Sequence, residues 1–412
     1  MPSPPLEHRR LRPSSVLLPA ILALNAGVSL AAPPLQLFVD LTPAGGTLRP
    51  LPGTYAGPVT ITRPMIIDGA DAVTLDGGGD GTVLTIRAPG TTVRGMRLVN
   101  SGSKYDGVDA GVLIEADEVV VEDNLVEDTL FGIHLKQAHR GTVRRNRIRS
   151  RGDDPNLRGD AIRLWYSTEN RIEGNEIRRS RDLVFTNSAD NEVVGNDIRD
   201  SRVGMHFVFS PGNLVEDNRL SANETGIMVL YSDDLILRDN HLWNARHASG
   251  AALALKESVN LLVEGNEIVH NAVGIQANAP NQPEHVVTLR DNRLAFNDVA
   301  IYFYGEKGGH RIEGNRFERN FTDVAVSHPV AARGHLWRGN HWDTYEGFDR
   351  DGDGVGDFPH QVFLYADRIW MDRPLTRFFR ASLALELIDF LERLAPFSTP
   401  EPVLVDPLPR VE

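Results

Sequence analysis

The sequence contains no cysteine. No disulfide framework holds the fold, and Cys-ligated zinc and iron–sulfur centres are excluded. Basic charge is also short, with 43 Lys and Arg against 56 Asp and Glu and a formal net charge of −13. That balance argues against a nucleic-acid partner, because phosphate binding needs a basic surface. Beyond residue 30 no apolar run is long enough to span a bilayer.

The one long apolar stretch, Val16 to Leu30, follows Arg9, Arg10 and Arg12. It ends in Ser29-Leu30-Ala31, a small-x-small cleavage pattern, and is interrupted by Pro19, Asn25 and Gly27. This predicts a signal peptide over 1–31 and an exported chain beginning near Ala32. Arg9-Arg10 also fits twin-arginine export, so the route stays open.

What the sequence does have is an internal repeat. Val121-Glu122-Asp123-Asn124-Leu125, Val143-Arg144-Arg145-Asn146-Arg147-Ile148 and Ile172-Glu173-Gly174-Asn175-Glu176-Ile177 share one pattern. Further copies centre on Asn196, Asn218, Asn240, Asn266, Asn292, Asn315 and Asn340. The nine intervals span 216 residues, a mean of 24. Asn suits a sharp corner because it tolerates left-handed backbone. Stacked Asn side chains also hydrogen-bond to one another along an axis.

A second segment recurs between these sites, as in Gly132-Ile133-His134-Leu135, Gly204-Met205-His206-Phe207 and Gly226-Ile227-Met228-Val229. These are short alternating strands that cannot bury an inner face alone. Stacked coils about 4.8 Å apart bury it. The pattern predicts an all-β chain, a right-handed parallel β-helix of about twelve coils over 32–342. Pro52-Gly53-Thr54-Tyr55-Ala56-Gly57 and Val59–Ile61 read as degenerate entry coils, with the stack starting near Leu35.

The composition then changes. Asp349-Arg350-Asp351-Gly352-Asp353-Gly354-Val355-Gly356-Asp357 matches the first nine places of a calcium loop, with hard ligands at Asp349, Asp351, Asp353 and Asp357 and a carbonyl at Val355. The twelfth place is His360, where that loop has Glu. A structural Ca²⁺ over 343–361 is expected. Pro374 to Phe397, within 362–397, reads as an amphipathic helix that caps the stack or docks a partner. Residues 398–412 hold four prolines and read as a loose tail.

Many exported β-helices act on polysaccharides, so a lyase or epimerase is the alternative reading. That chemistry needs clustered carboxylates on one outer face. Asp153-Asp154 and Asp233-Asp234 occur without an ordered catalytic set, and Arg163 and Lys136 carry no evident paired acids. The chain is therefore read as a non-enzyme. Aligned strands put His134, Arg163, Val184, His206, Met228, Ala252, Gln276 and Tyr302 in one outward column. His206 and Met228 fall on adjacent coils, and imidazole with thioether suits copper, above all Cu(I).

Gly159-Asp160-Ala161-Ile162-Arg163-Leu164-Trp165, Gly204-Met205-His206-Phe207 and Ile227-Met228-Val229-Leu230-Tyr231-Ser232 resemble the NosD family of periplasmic maturation factors for nitrous oxide reductase. The likeness covers nearly the whole mature chain, the Asn repeat and the Asp-Gly-Asp-Gly loop included. It implies a periplasmic protein held at the inner membrane through its partners. Those partners are an ABC transporter of permease and ATPase, nitrous oxide reductase itself and a copper-chaperone lipoprotein. The implied task is assembly of the reductase's copper centres. The helix from Pro374 to Phe397 would dock on the permease. A Met often follows the family's Gly-x-His strand, and Val208 stands there in this chain.

Overall fold

The computed structural model describes residues 32–363, apart from 153, 155–156, 279–285, 306–307 and 328–329, then scattered positions from 382 to 394, and 402–411. The segment read as a signal peptide lies outside the described residues, as do Asp153 and most of Pro374–Phe397. The chain divides into two compact units, residues 1–32 and 33–412, and the second is described below.

The repeat closes into a parallel β-helix. Each typical coil supplies three short strands, for example Thr142–Arg144, Arg147–Ser150 and Ile162–Trp165. Equivalent strands of successive coils pair in parallel, so three ladders run along the stack. Two of them form a 24-stranded sheet and the third a 12-stranded sheet, which fixes twelve coils.

Register explains the core. In the third ladder Ile133, Ile162, Leu183, Met205, Ile227, Leu253, Ile275, Ile301 and Val324 lie one above another. All are buried, because period-2 alternation turns each inward. A neighbouring column stacks Phe185 on Phe207 with centroids 4.5 Å apart.

Ten asparagines, Asn124 to Asn340, form a second axis. In each step the backbone N–H and the Nδ2 of one Asn donate to Oδ1 of the next, at 2.9–3.1 Å. The ladder is therefore as expected, but the left-handed residue is not the Asn. It is the residue before it: Asp123, Arg145, Gly174, Gly195, Asp217, Asp239, Gly265, Asp291, Gly314 and Gly339 all have φ between 52° and 68°. Asx and Gly tolerate that backbone, which leaves the Asn side chain free to point inward.

Glycine near the start of the third strand has a steric cause. A Cβ on Gly226 would sit 2.4 Å from the Ala252 carbonyl oxygen of the next coil. Gly226→Ala is expected to cost about 2 kcal/mol, the scale of overpacking. A urea midpoint equal to wild type would contradict this.

Both ends are capped, and both caps differ from the reading of the sequence. Leu35–Leu41 is a helix, not an entry strand, and buries Leu35 and Val39 against the first coil. Its Gln36 closes the open edge of the third ladder. Gln36 Oε1 accepts from Thr60 N–H at 2.7 Å, and Gln36 Nε2 donates to Thr60 O at 3.2 Å. At the other end, within the expected loose tail, Pro402–Asp406 is a strand that pairs antiparallel with His360–Phe363. Asp406 is fully buried and accepts from Asn340 N–H, Asn340 Nδ2 and Trp342 Nε1 at 3.0, 2.8 and 3.2 Å. A carboxylate only accepts, so it ends a ladder whose last rung still offers donors.

Candidate functional site on the third ladder

Strands Val203–Val208 and Thr225–Leu230 place His206 directly beside Met228. Both alternate with fully buried core residues, so both face outward. The register corrects one member of the column. Met228 pairs with Ala254, whereas Ala252 is a buried residue of the strand approach. Gln276 and Tyr302 follow in register.

This face is less open than a column of outward side chains suggests. His206 and Met228 are half-buried, and His134 is 6% exposed. Burial, aided by Arg163, lowers the His134 pKa to about 4. Neither of its ring nitrogens has a partner among the described residues.

The acids judged missing from the sequence are present. Asp160, fully buried, accepts from Arg181 Nε and Nη2 at 2.8 and 3.1 Å and from Arg163 Nη1 at 3.2 Å. Burial raises its pKa, the Arg181 charge opposes this, and neighbouring Asp182 raises it further. Asp182 is buried against Arg202, and its Oδ2 lies 3.3 Å from His206 Nδ1. His206 Nε2 is buried without a partner. Lys136 bonds Glu115 at 3.0 Å. The available signal was an acid ahead of the core residue in adjacent copies, Asp160-Ala161-Ile162 and Asp182-Leu183.

His206 and Met228 fit cuprous copper by donor type, with one imidazole nitrogen unpaired and one thioether a coil away. They supply two donors, so further ligands would come from a protein that delivers or receives the ion.

The acidic loop brings oxygens of Asp349, Asp351 and Asp353 within 4.8 Å of one another. Asp349 is held by Gly352 and Gly354 N–H at 2.6 and 2.8 Å, and the Gly354 bond leads in lowering its pKa. Repulsion from Asp353 raises the pKa of Asp351. Asp357 sits apart from this triad and accepts from Arg350 N–H. Val355 bridges to Arg410 of the C-terminal segment. His360 is buried and stacks on Trp342 at 4.7 Å, so it takes no part in the loop.

Of Pro374–Phe397 the described positions include Leu383, Leu387, Phe390, Leu391 and Leu394, all helical and all exposed. Their steps of four, three, one and three put them on one helical face.

Comparison with known proteins agrees with this architecture. The profile of the NosD family, described as a periplasmic copper-binding protein, matches residues 149–347. The probable ABC transporter binding protein NosD of Pseudomonas aeruginosa is 29% identical over 387 residues, covering 84% of this chain and 83% of that one. Its namesake from Stutzerimonas stutzeri is 26% identical over 409 residues, covering 92% and 90%. Among solved structures, the A-module of the Azotobacter vinelandii mannuronan C-5 epimerase AlgE6 aligns with a TM-score of 0.55 at 14% identity, covering 76% of this chain and 95% of that one. A GH87 α-1,3-glucanase catalytic domain gives 0.55 at 13%, covering 75% and 68%. At such identities these enzymes share the fold and nothing further. Likeness over most of both curated relatives, together with the profile match across the His206 and Met228 coils, makes this chain similar to the NosD family along most of its length.

Proposed function

We propose that this chain is a periplasmic accessory protein that works with an ABC transporter to load copper into nitrous oxide reductase. The supporting observation is near full-length likeness to two proteins named as probable ABC transporter binding proteins. Copper is cargo in this reading. His206 Nε2 and the Met228 sulfur hold Cu(I) briefly between a copper-chaperone lipoprotein and the reductase. The β-helix is a rigid platform for those partners, and the protein is not an enzyme. Asp160 and Asp182 both carry arginine partners, which suits a binding surface better than acid–base catalysis.

The exposed Leu383, Leu387, Phe390, Leu391 and Leu394 stripe supports docking on the transporter permease. Truncation at Pro374 would not test this cleanly, because it also removes Asp406 from the last coil. Leu387→Glu with Phe390→Glu is the better test. Loss of co-purification with the permease is expected, and undiminished co-purification would end the docking role.

Two metal tests follow. His206→Ala with Met228→Leu is expected to weaken Cu(I) binding about tenfold or more in competition with a chelator. Unchanged competition would remove both residues. The Asp349, Asp351 and Asp353 triad, with Val355 and Asp357 nearby, is proposed to bind structural Ca²⁺. Calcium is then expected to raise the melting temperature of wild type but not of Asp349→Asn with Asp351→Asn. An equal response of the two would remove the calcium site.

A further inference from the structure

A set of buried side-chain polar atoms lacks a hydrogen-bond partner among the described residues. Five of them, all nitrogens, lie on one face of the third ladder: both ring nitrogens of His134, Arg163 Nε, Arg202 Nε and His206 Nε2. Buried polar groups are nearly always paired, so this concentration on neighbouring coils calls for a cause. His134, Arg163, Val184 and His206 follow one another in register. Successive coils are about 4.8 Å apart, so the group spans roughly 15 Å.

The charge decides what would fill it. Asp160 and Asp182 are two buried carboxylates, and Arg163, Arg181 and Arg202 are the guanidinium groups that cover them. Beside His134, Lys136 and Arg87 share Glu115 at 3.0 Å each. Five cations therefore face three carboxylates, on a chain whose formal net charge is −13. Between the guanidinium groups, at the His134 and Arg163 coils rather than at His206, a further cation is disfavoured and an anion is favoured.

The guanidinium groups are positioned for this. Asp160 takes Arg163 through Nη1 and Arg181 through Nε and Nη2. Asp182 takes Arg202 through Nη2. Arg163 Nη2, Arg181 Nη1 and Arg202 Nη1 make no hydrogen bond among the described residues. The three side chains are 24%, 28% and 33% exposed, so their ends reach solvent while their stems are held. Fixed guanidinium forks match the acceptor spacing of an oxyanion, and little rotamer freedom remains to be lost on binding.

We propose that the outer face of the third ladder binds a small oxyanion through Arg163, Arg181 and Arg202, with His134 as a hydrogen-bonding neighbour. This site does not depend on the copper reading, since neither the His206 imidazole nor the Met228 sulfur is needed to hold the anion.

The test uses the purified full chain with inorganic sulfate and phosphate as probes, at constant ionic strength against chloride. Calorimetry and melting temperature report binding. Sulfate or phosphate is expected to stabilise the chain where chloride does not. Arg163→Gln and Arg202→Gln should each weaken the anion about tenfold, the scale of one charge-assisted hydrogen bond. Arg163→Gln leaves Asp160 bonded twice to Arg181, so the fold has its support. Arg238→Gln, on another ladder, should leave binding unchanged, as should Met228→Leu. No binding beyond chloride, or equal binding in all variants, would overturn the proposal. So would an acidic peptide that binds where sulfate and phosphate do not, since the face would then be a protein contact.

Discussion

Lowering the pH from 7 to 4 is expected to cost this chain about 5 kcal/mol of stability. The main cause is histidines buried in the neutral form, three with large shifts and His310, whose pKa burial also lowers. Burial lowers the pKa of His134 and His360 to about 4 and that of His335 to about 2. In the unfolded chain each titrates near the ordinary value of about 6.5. Below that value the unfolded state binds protons that the folded state refuses. The stability is therefore complete above about pH 6.5 and is lost as pH falls towards the folded values. Each of the three with large shifts contributes about 3 kcal/mol at pH 4, at about 1.4 kcal/mol per pH unit.

Asp323 works in the opposite direction. Burial raises its pKa to about 7, so its penalty is present at neutral pH and is relieved on acidification, returning about 4 kcal/mol. The histidines still outweigh it. Urea midpoints at pH 7 and pH 4 measure the sum. His335→Asn tests the largest shift. His335 Nδ1 accepts from Gly309 and His310 N–H at 3.2 and 3.1 Å, and Asn does the same work at Asn191, whose Oδ1 accepts from Asn170 N–H at 2.9 Å. The variant should lose about 3 kcal/mol of the acid sensitivity. An undiminished pH dependence would contradict this account of the buried imidazoles.

The second large effect is expected at Asp406. Asp406→Ala strips acceptors from Asn340 N–H, Asn340 Nδ2, Trp342 Nε1 and Gly339 N–H. Each buried donor left unpaired costs about 1–3 kcal/mol. The loss should be about 4 kcal/mol, close to that for breaking a buried charged contact. Stability in a stacked repeat is a sum of coil and interface terms, so the last coils should open first. Hydrogen exchange should rise at Leu336–Arg338 and His341–Trp342 while the coils around Asn196 stay protected. Asp406→Asn keeps one acceptor oxygen and should cost about half as much. Uniform loss of protection, or none, would show that Asp406 does not terminate the ladder.

The repeat was legible because one Asn per coil and alternating strands follow from stacking itself. The asparagine ladder and the His206–Met228 neighbourhood could be placed before any coordinates. The caps could not. The sequence pattern starts the stack near Leu35, yet Leu35–Leu41 has no coil beneath it to pair with and forms a helix. Asp406 is one of three acids in a proline-rich segment, and its role exists only because Asn340 ends the ladder above it. The left-handed corner was placed one residue late, since Asp or Gly next to Asn gives two candidates for the same turn. The arginine–aspartate cluster was missed because its pairs form between coils. Arg181 reaches Asp160, 21 positions away, and no local pattern records that contact.

The central claim is that this chain helps place copper in nitrous oxide reductase. The copper content of the reductase exported by a denitrifying host tests it most directly. Deleting the gene for this chain should leave the reductase exported but poor in copper, with loading restored by wild type and not by His206→Ala with Met228→Leu. Full copper loading in the deletion strain would contradict the account.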